Sequence, residues 1–503
     1  MQNNIFEYVE CAASKFGSKT AITEGEKSIT FSELERLSKA VATSLCLKVK
    51  QRDKVIIFME KSIEYVIAML ACAQIGAVYI PLDPSTPIKR IKFIIEKTSA
   101  GIILRKEGDS VAGLFADQAQ ILCIEDLEQQ DISDELSKRR ERILVTDPLY
   151  MLFTSGSTGK PKGIITSHLA LISFIDAMAE KFAFTSEDAL ANQVPFYFDA
   201  STKDIYLMCK CGCTMHIIPK KLFMDPKNLM MFLNEKRITR IIWTPFLLCL
   251  VANLNAFEKV RPEYLKTVFF VGEQMPTKQM NMWRRCLPDV QYVNLYGSSE
   301  VSGSSAYYII QRDISDDEVI PVGVPFRHMD VFLLDDDDNI IKEEGCIGEI
   351  CVRGPSLSFG YYGDIPGTER AFSLNPETSA YREYIYRSGD LGKYNSHHEL
   401  IFVSRRDHQI KRLGQRIELG EIETAISSLD GIGRCCCLYD ERTKVLYAVY
   451  EGTIDPKDVS SQLRDIIPDY MIPSEYHQMD AIPLNANAKI DRQLIHNLVL
   501  QSK

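Results

Sequence analysis

The sequence lacks the features that mark membrane, secreted and nucleic-acid-binding proteins. No apolar run approaches the roughly 20 residues of a membrane-spanning helix. The first residues do not combine a basic region with a hydrophobic one, so we expect no secretion signal and a cytoplasmic location. The formal net charge is −10 at pH 7, so there is no basic excess to neutralise the phosphates of a nucleic acid. We therefore expect neither a membrane nor a nucleic acid among the partners.

Cysteine is present, but not in the arrangement that disulfide scaffolds or zinc sites use. There are 14 cysteines in 503 residues, which does not suggest a disulfide scaffold. The groups at 209–213 and 435–437 contain three cysteines each, and neither has the two Cys-x-x-Cys pairs of a structural zinc site. We interpret these side chains as small, buried core residues in a reducing cytosol.

The length and the hydrophobic pattern predict several α/β units. At ~150 residues per domain, 503 residues suggest about three units. Residues 1–145 alternate amphipathic helices with short apolar strands, and one helix begins near Phe31 with Ser32 as its expected N-cap. The alternation repeats in 146–310. It predicts mostly parallel sheets with helices on both faces.

The pattern changes in the last third of the chain. Residues 320–402 contain short strands separated by Gly, Pro and Asp turns, which predicts a small β-barrel. The acidic run at 335–339 is typical of a hairpin tip. After Arg406 an α+β pattern continues for about a hundred residues, enough for a small separate domain.

Residues 154–163 form the most informative segment. They read Thr-Ser-Gly-Ser-Thr-Gly-Lys-Pro-Lys-Gly and directly follow an apolar run at 149–153 that suits a buried strand. Glycines let the backbone approach a polyanion, amides and hydroxyls donate hydrogen bonds, and the lysines add positive charge. The segment departs from the Gly-x-x-x-x-Gly-Lys-Ser/Thr motif, because Pro161 follows Lys160. It predicts a phosphate-binding loop of another kind.

This loop resembles the phosphate loop of adenylate-forming enzymes, the superfamily of acyl-CoA synthetases, luciferases and peptide-synthetase adenylation domains. Further segments similar to motifs of that superfamily follow in its order along nearly the whole chain, at 77–84, 198–201, 294–300, 348–350, 360–362, 388–390, 405–407, 414–419 and 489–492. The sequence is therefore identified as a member of this superfamily, and most resembles its amino-acid-activating branch.

The resemblance implies a domain organisation. Residues 1–406 would form an N-terminal adenylation core of two βαβ-type sheet subdomains and a small β-barrel at about 320–402. Residues 407–503 would form a small, mobile α+β lid domain that carries the catalytic lysine. Asp407 resembles the hinge about which such a lid rotates between the two half-reactions.

The implied reaction is attack of a carboxylate on the α-phosphorus of ATP, which leaves an acyl-adenylate and pyrophosphate. ATP and Mg²⁺ are the expected cofactors, and Glu300 is the candidate magnesium ligand because this cation prefers oxygen ligands. The resemblance assigns the β and γ phosphates to the loop residues Thr154, Ser155, Gly156, Ser157, Thr158, Gly159 and Lys162.

Other residues that match the superfamily would bind adenine and ribose. Tyr296 would stack on adenine, Ser299 would contact the α-phosphate, and Asp390 would accept both ribose hydroxyls. The remaining members of this expected set are Gly272, Glu273, Gln274, Asn294, Gly297 and Arg405.

Lys489 is the predicted catalytic residue. Its ammonium would bridge the substrate carboxylate and the α-phosphate oxygens, where negative charge grows in the transition state. The alternative is an exposed loop lysine, which is the commoner fate of a lysine.

The amino acid itself would be bound by residues of a separate pocket. Asp199 matches the aspartate that pairs with the α-amino group in amino-acid-activating members; a helix-capping aspartate is the alternative. The other pocket residues implied by the resemblance are Ala200, Lys203, Ile242, Phe269, Val271, Leu295, Gly303 and Ser304.

Lys203 is unusual among these apolar neighbours and has two interpretations. It binds an acidic or otherwise hydrogen-bond-accepting side chain of the substrate, because a buried ammonium needs a partner. Alternatively it pairs with Asp199 one helical turn away, or extends its ammonium toward solvent.

The partner expected from the resemblance is a phosphopantetheinylated carrier protein. No Gly-Gly-x-Ser carrier motif follows Lys489, so we expect a free-standing ligase that loads a separate carrier, similar to the D-alanine–carrier-protein ligases. Those ligases have cysteine where Val271 stands, so D-alanine itself is left open. An acyl- or aryl-CoA ligase using free CoA, and a non-catalytic nucleotide-binding scaffold, are the competing interpretations.

Overall fold

The structure is a computed structural model, and it describes residues 2–108, 114–127, 134–156, 160–406, 409–440, 442–484 and 490–500. Helices lie at Glu7–Phe16 (α1), Phe31–Cys46 (α2), Ile63–Gln74 (α3), Ile88–Thr98 (α4), Ile124–Leu127 (α5), Asp134–Arg140 (α6), His168–Lys181 (α7), Ala200–Cys211 (α8), Pro226–Glu235 (α9), Pro245–Asn253 (α10), Thr277–Cys286 (α11), Ile365–Ala371 (α12), Leu419–Ser427 (α13), Pro456–Leu463 (α14) and Arg492–Leu500 (α15). Among the described residues, no helix is both long and apolar enough to cross a lipid bilayer.

Strands alternate with these helices through the first 300 residues and dominate afterwards. They lie at Thr20–Glu24 (β1), Lys27–Thr30 (β2), Lys54–Phe58 (β3), Val78–Leu82 (β4), Ile102–Arg105 (β5), Gln120–Cys123 (β6), Pro148–Thr154 (β7), Lys162–Ser167 (β8), Ala189–Asn192 (β9), Thr214–Ile217 (β10), Arg240–Trp243 (β11), Thr267–Val271 (β12) and Gln291–Tyr296 (β13). The later strands lie at Ala306–Ile309 (β14), Val324–Pro325 (β15), Asp330–Leu334 (β16), Ile340–Ile341 (β17), Gly348–Arg353 (β18), Phe372–Leu374 (β19), Tyr384–Tyr394 (β20), Leu400–Arg405 (β21), Gln409–Arg412 (β22), Gln415–Glu418 (β23), Ile432–Asp440 (β24), Val445–Gly452 (β25) and Glu475–Met479 (β26).

The chain forms two compact units. The first comprises Met1–Pro84, Ser99–Leu152 and Gly163–Arg406, and the second comprises Ser85–Thr98, Phe153–Lys162 and Asp407–Lys503. The second unit thus contains helix α4 and the glycine-rich loop as well as the C-terminal residues.

A nine-stranded sheet of the first unit supplies most of the candidate site. Its strand order is β15-β14-β13-β12-β11-β9-β10-β1-β2. Six strands are neighbours in the order β1, β10, β9, β11, β12 and β13, and each adjacent pair among them is parallel. Antiparallel strands flank these six, β2 at one edge and β14 and β15 at the other. The carboxyl ends of the parallel strands therefore meet at one edge, where α/β proteins commonly bind ligands.

The first unit contains two further sheets. One has the order β6-β5-β3-β4-β7-β8, with β3, β4, β5, β6 and β7 in parallel pairs. The region predicted as a β-barrel forms a six-stranded antiparallel sheet of β16 to β21. The acidic run at 335–339 joins β16 to β17, as the hairpin interpretation predicted, and the amide of Asp335 donates to the carbonyl of Asn339. The α/β fold class is confirmed.

The C-terminal residues of the second unit form an α+β arrangement. Strands β24 and β25 are antiparallel, β26 joins β25 in parallel, and β22 pairs with β23 as a separate hairpin. Helices α13 and α14 pack their apolar residues, including Ile422 and Val459, against one face of this sheet. Cys435, Cys436 and Cys437 lie in β24 and are buried, so they are core residues as predicted.

Two local expectations need correction or refinement. Helix α2 is capped by Thr30 and not by Ser32: Thr30 Oγ1 accepts the amide of Glu33, and the Glu33 carboxylate accepts the amide of Thr30. This reciprocal pair satisfies two amides that the helix itself leaves without partners. Cys209 and Cys213 are buried as predicted, whereas Cys211, the last residue of helix α8, is only partly buried.

Candidate active site

Asp390 is hydrogen-bonded to two other residues of the predicted nucleotide-binding set. Asp390 in β20 is directly opposite Arg405 in β21, and the Arg405 guanidinium donates to its carboxylate. The hydroxyl of Tyr296, the last residue of β13, donates to the other carboxylate oxygen at 2.7 Å. Burial, with Asp390 adjacent, raises the pKa of Tyr296 well above its ordinary value, so the phenol stays a neutral donor. Asp390 is thereby held in one orientation from two sides.

The other predicted adenine residues lie where β12 and β13 end. These strands are parallel neighbours, and Val271 pairs with Leu295, so their carboxyl ends coincide. The turn of Gly272, Glu273 and Gln274 follows β12 directly, and Gly272 has φ +104°. Asn294 in β13 donates its side-chain amide to the carbonyl of Pro321 at 2.7 Å. The turn at 272–274 and strand β13 thus border the same edge of the sheet.

A tight turn after β13 holds Glu300. The residues Ser299–Val301 form a 3-10 helix, and Gly297 packs against the following residues so closely that an added Cβ would lie 2.5 Å from the Cα of Ser304. Glu300 is fully buried, and its carboxylate accepts the hydroxyl of Tyr361 at 2.9 Å.

A single buried carboxylate fits the way proteins bind Mg²⁺, through one or two carboxylates together with substrate phosphates. Nowhere in the described ranges do three or more His, Cys, Asp or Glu side chains gather as they would around a metal ion. Glu300 therefore remains the predicted magnesium ligand, with ATP expected to supply further oxygens.

The glycine-rich loop joins β7 to β8, as predicted, and its first residues are fastened inside the second unit. Ser155 Oγ donates to the carbonyl of Arg416 at 2.8 Å and accepts the amide of Glu418 at 3.1 Å. The amide of Gly156 donates to Glu421 Oε2 at 3.0 Å. Thr154 ends β7 and Lys162 begins β8. The predicted loop residues Ser157, Thr158 and Gly159 lie outside the described residues.

Glu421 has a second buried partner that the sequence did not reveal. Its Oε1 accepts Arg90 Nη1 at 2.6 Å, and both side chains are almost completely inaccessible. Arg90 lies in α4 and Glu421 in α13, 331 residues apart. The motif at 414–419 lies next to Glu421 in the sequence, but no local pattern connects Glu421 with helix α4.

Four predicted substrate residues share one face of the nine-stranded sheet. Ile242 pairs with Phe269, and Val271 pairs with Leu295. All four are buried in one hydrophobic cluster that also contains Ala200 at the start of α8 and Phe174 of α7. Their intervening neighbours, such as Val268 and Phe270, belong to a different cluster on the opposite face. The period of two along each strand therefore places the predicted residues together.

Asp199 and Lys203 occupy the first turns of α8. Asp199 stands at the N-cap position, but its side chain makes no capping hydrogen bond, so the helix-capping interpretation is wrong. Lys203 has no exposed surface, so the interpretation of an ammonium extended into solvent is also wrong. Its Nζ has no hydrogen-bond partner among the described residues and lies 5.4 Å from the centre of the Phe174 ring. The alternative of a hydrogen-bonded pair with Asp199 is therefore not realised.

Gly303 lies directly against this ammonium. A Cβ added to Gly303 would be 3.1 Å from Lys203 Nζ and 3.3 Å from the Phe174 ring, and the φ of +116° favours glycine. Ser302 and Ser304, on either side of it, are buried, and their hydroxyls lack hydrogen-bond partners. Two predicted pocket positions, 203 and 303, are thus in contact across the fold.

A second lysine and acid lie near the same helix and were not anticipated. Asp204 is buried and accepts the side-chain amide of Asn192 at 2.7 Å, and burial raises the pKa of Asp204 to about 7. Lys61 Nζ donates to Asn192 Oδ1 at 3.0 Å and to the carbonyls of Asn192 and Gln193 at 3.2 Å. Burial lowers the pKa of Lys61 to about 7.

Lys489, the predicted catalytic residue, and Asp407, the predicted hinge, lie outside the described residues. Their roles stay predictions. The same holds for the functional roles of the described residues.

Comparison with known proteins decides the family. The sequence profile of the family described as "AMP-binding enzyme" matches residues 9–362. The chain belongs to the AMP-binding enzyme family. The resemblance inferred from the motifs is thereby confirmed, and so, at the level of this family, is the prediction of an AMP-forming ligase that uses ATP.

Individual relatives agree with this assignment. Zwittermicin A synthase ZmaJ of Bacillus cereus is 30% identical over 494 residues, which cover 95% of this chain and 91% of that protein. Gramicidin S synthase 2 of Brevibacillus brevis is 28% identical over 505 residues, covering 98% of this chain. The chain spans only 11% of that much longer relative.

A solved structure shows the same fold. The Vibrio cholerae adenylation domain AlmE, crystallised in complex with glycyl-adenosine-5'-phosphate, superposes with a TM-score of 0.85. It covers 100% of this chain and 98% of its own, at 21% sequence identity.

Proposed function

We propose that the chain activates an amino acid with ATP, releases pyrophosphate, and transfers the aminoacyl group from the resulting aminoacyl-adenylate to the phosphopantetheine thiol of a carrier protein. The observation that carries the proposal is the position of Asp199. It begins helix α8 without capping it, and the next residue, Ala200, belongs to the same hydrophobic cluster as Ile242, Phe269, Val271 and Leu295. A carboxylate beside a largely apolar pocket is what the α-ammonium of an amino acid requires.

In this proposal the nucleotide is bound at the carboxyl ends of β12 and β13. Asp390, oriented by Tyr296 and Arg405, accepts the ribose hydroxyls. The turn at 272–274 and Asn294 border adenine, which stacks on Tyr296, and Gly297 and Ser299 approach the α-phosphate. Backbone amides and hydroxyls of the loop at 154–162 bind the β and γ phosphates.

Adenylation then needs positioning and neutralisation of charge more than covalent help from the protein. A carboxylate oxygen of the amino acid forms a bond to the α-phosphorus, and the bond from that phosphorus to pyrophosphate breaks. We propose that the ammonium of Lys489 neutralises the negative charge that grows in the transition state. Mg²⁺, bound by Glu300 and phosphate oxygens, would stabilise the leaving pyrophosphate.

The second half-reaction forms a carbon–sulfur bond. The thiol sulfur attacks the carbonyl carbon of the adenylate, and AMP leaves. We propose that residues 1–406 serve as the adenylation core and 407–503 as a lid that brings Lys489 to the first half-reaction, with Asp407 as the hinge. The glycyl-adenosine-5'-phosphate in the AlmE crystal structure supports an amino-acid substrate.

Exchange of labelled pyrophosphate into ATP tests the first half-reaction. With Mg²⁺ and a panel of amino acids, the protein should show exchange with at least one of them. Asp199→Asn should lower kcat/KM for that amino acid at least about 30-fold, because truncating one partner of a buried charge pair costs about 2 kcal/mol or more. Asp225→Asn is the matched control, because Asp225 does cap its helix, accepting the amide of Asn228.

An equal loss in both variants would show that Asp199 is structural. The absence of exchange with every amino acid and with aryl acids would refute the proposal. The acceptor is tested separately with free CoA and with a panel of phosphopantetheinylated carrier proteins. Faster turnover with free CoA would replace the carrier-protein proposal by a CoA ligase.

A further inference from the structure

We infer that the amino acid activated by this chain carries a second carboxylate, on its side chain, that accepts hydrogen bonds from Lys203. This inference rests on the proposed function and names the substrate class of the same site. It starts from one observation: Lys203 is completely buried, and the part of the chain that the structure describes offers its Nζ no hydrogen-bond acceptor. A buried ammonium without an acceptor is costly, so a ligand that provides one gains affinity.

The surroundings of Lys203 show where that acceptor would lie. Lys203 Nζ lies 5.4 Å from the centre of the Phe174 ring, and a Cβ added to Gly303 would lie 3.1 Å from this Nζ. An aromatic face attracts a cation but does not replace a hydrogen-bond acceptor. Any side chain at position 303 would crowd the ammonium, so glycine there keeps space at Nζ. The unpartnered hydroxyls of Ser302 and Ser304 belong to the same turn.

Charge accounting distinguishes an acidic substrate from a neutral one. Four charged side chains interact near the start of helix α8: the acids Asp199 and Asp204 and the lysines Lys61 and Lys203. Asn192 binds both Asp204 and Lys61 and links them as one pair. This leaves Asp199 as the main charge opposite Lys203: burial lowers the pKa of Lys203, and Asp199, with a smaller contribution from Asp204, opposes that shift.

The α-ammonium of a bound amino acid would form an ion pair with Asp199. Lys203 would then be a buried cation facing a second buried cation, with its balancing charge already engaged. The α-carboxylate cannot compensate, since it must reach the α-phosphorus of ATP. A carboxylate on the substrate's side chain restores neutrality and supplies the missing acceptor. Aspartate, glutamate and their homologues have this chemistry.

The experiment compares acids with their amide counterparts. Pyrophosphate exchange should give a kcat/KM for aspartate or glutamate at least about 100-fold above that for asparagine or glutamine, because a site built to bind a polar group discriminates strongly against its absence. Lys203→Met, which keeps the length and removes the charge, should abolish this preference. Lys203→Glu should shift the preference toward ornithine or lysine.

Lys61→Met is the matched control, because Lys61 is a lysine beside the same helix whose ammonium already has three oxygen acceptors. It should lower thermal stability and leave the ranking of substrates unchanged. Lys203→Met should keep or raise thermal stability, because it removes a buried charge that has no acceptor. A fall in stability with an unchanged ranking would instead assign Lys203 a structural role and overturn the inference.

A binding measurement separates this inference from the proposed function. Calorimetry with non-hydrolysable aspartyl- and glutamyl-sulfamoyl adenosines, against the asparaginyl and glutaminyl analogues, does not require turnover. Tighter binding of an acidic analogue that is lost in Lys203→Met supports the inference even without exchange activity. Equal binding of acid and amide, or robust exchange with a neutral amino acid and none with an acid, overturns it while leaving amino-acid activation intact.

Discussion

Two groups of side chains in the first unit each combine a tyrosine, a carboxylate and an arginine, but their surroundings differ. Tyr296, Asp390 and Arg405 meet where β13 ends, and Tyr308, Glu399 and Arg312 meet at a separate position. Burial opposes ionisation of Glu399, but hydrogen bonds from Arg312, Asn395 and Tyr308 outweigh it and lower its pKa to about 2. The chemistry of a Tyr–carboxylate–Arg group therefore does not identify a site. The neighbouring motif residues do.

This likeness provides a controlled test at the residue scale. Tyr296→Phe should raise KM for ATP about 10-fold or more, because a hydrogen bond to a charged group contributes about 1.5–3 kcal/mol and Asp390 would lose one of its two orienting partners. Tyr308→Phe removes an equivalent 2.7 Å bond to Glu399 and should leave KM unchanged. Steady-state exchange kinetics at varied ATP measure both. Similar increases in the two variants would mean that the effect arises from general loss of stability.

At the scale of elements, the start of the glycine-rich loop is fastened by the segment that leads into α13. Ser155 and Gly156 bond to residues between 416 and 421, and Glu421 in turn binds Arg90. A Cβ added to Gly156 would lie 2.0 Å from the carbonyl oxygen of Lys160, so a side chain does not fit at position 156. The second unit is thus held together by groups from three distant parts of the sequence.

Glu421→Gln should destabilise the second unit by roughly 3 kcal/mol, because removing one partner of a buried ion pair leaves an uncompensated charge on Arg90. Combining it with Arg90→Met should recover part of this loss, since neither charge remains. Native-state hydrogen exchange of amides in β24 and β25 measures the change. The exposed pair Arg464–Asp469 is the control, and Asp469→Asn should cost less than about 1 kcal/mol. Equal costs for Glu421→Gln and Asp469→Asn would contradict the prediction.

At the scale of the whole molecule, the chain divides its chemistry between two compact units. The nucleotide and substrate candidates at 199–203, 269–274, 294–304 and 390–405 belong to the first. The described loop residues and the C-terminal sheet belong to the second. The roles of core and lid remain proposals, and their test is whether Asp407 and Lys489 affect the two half-reactions separately.

The stability of the first unit should fall as the pH falls from about 6.5 to about 4. His168 is fully buried, its Nδ1 accepts the amide of Ile5 at 3.3 Å, and burial lowers its pKa to about 4. The unfolded chain binds this proton near pH 6.5, so it holds more protons than the folded chain within this interval. The stabilisation is complete above pH 6.5 and is lost progressively toward pH 4, by an amount on the order of 3 kcal/mol.

His168→Asn, which keeps an acceptor for Ile5, should reduce this loss. Urea unfolding at pH 7 and pH 5 measures the difference, and His397→Asn, at an exposed position, is the control. If His168→Asn loses as much stability between these pH values as the unsubstituted protein does, the buried imidazole is not the cause.

Much of the fold and the outline of the site could be predicted from the sequence. Alternating helices and strands, the hairpin at 335–339 and the loop after β7 follow from local hydrophobic periodicity and turn chemistry, which depend on neighbours along the chain. The sequence also contains the signal for the cap of α2, because Thr30 and Glu33 have the spacing of a capping box, which favours Thr30 over Ser32.

Only the tertiary structure decided which distant side chains meet and which remain without a partner. The contact of Arg90 with Glu421, the group around Asp390 and the position of Gly303 against Lys203 join residues that no periodicity connects. Local patterns arise from interactions within a few residues, whereas burial and pairing depend on how the sheets and helices pack. The same lysine would be an ordinary surface residue in another fold; here its complete burial is the basis of the proposed substrate class.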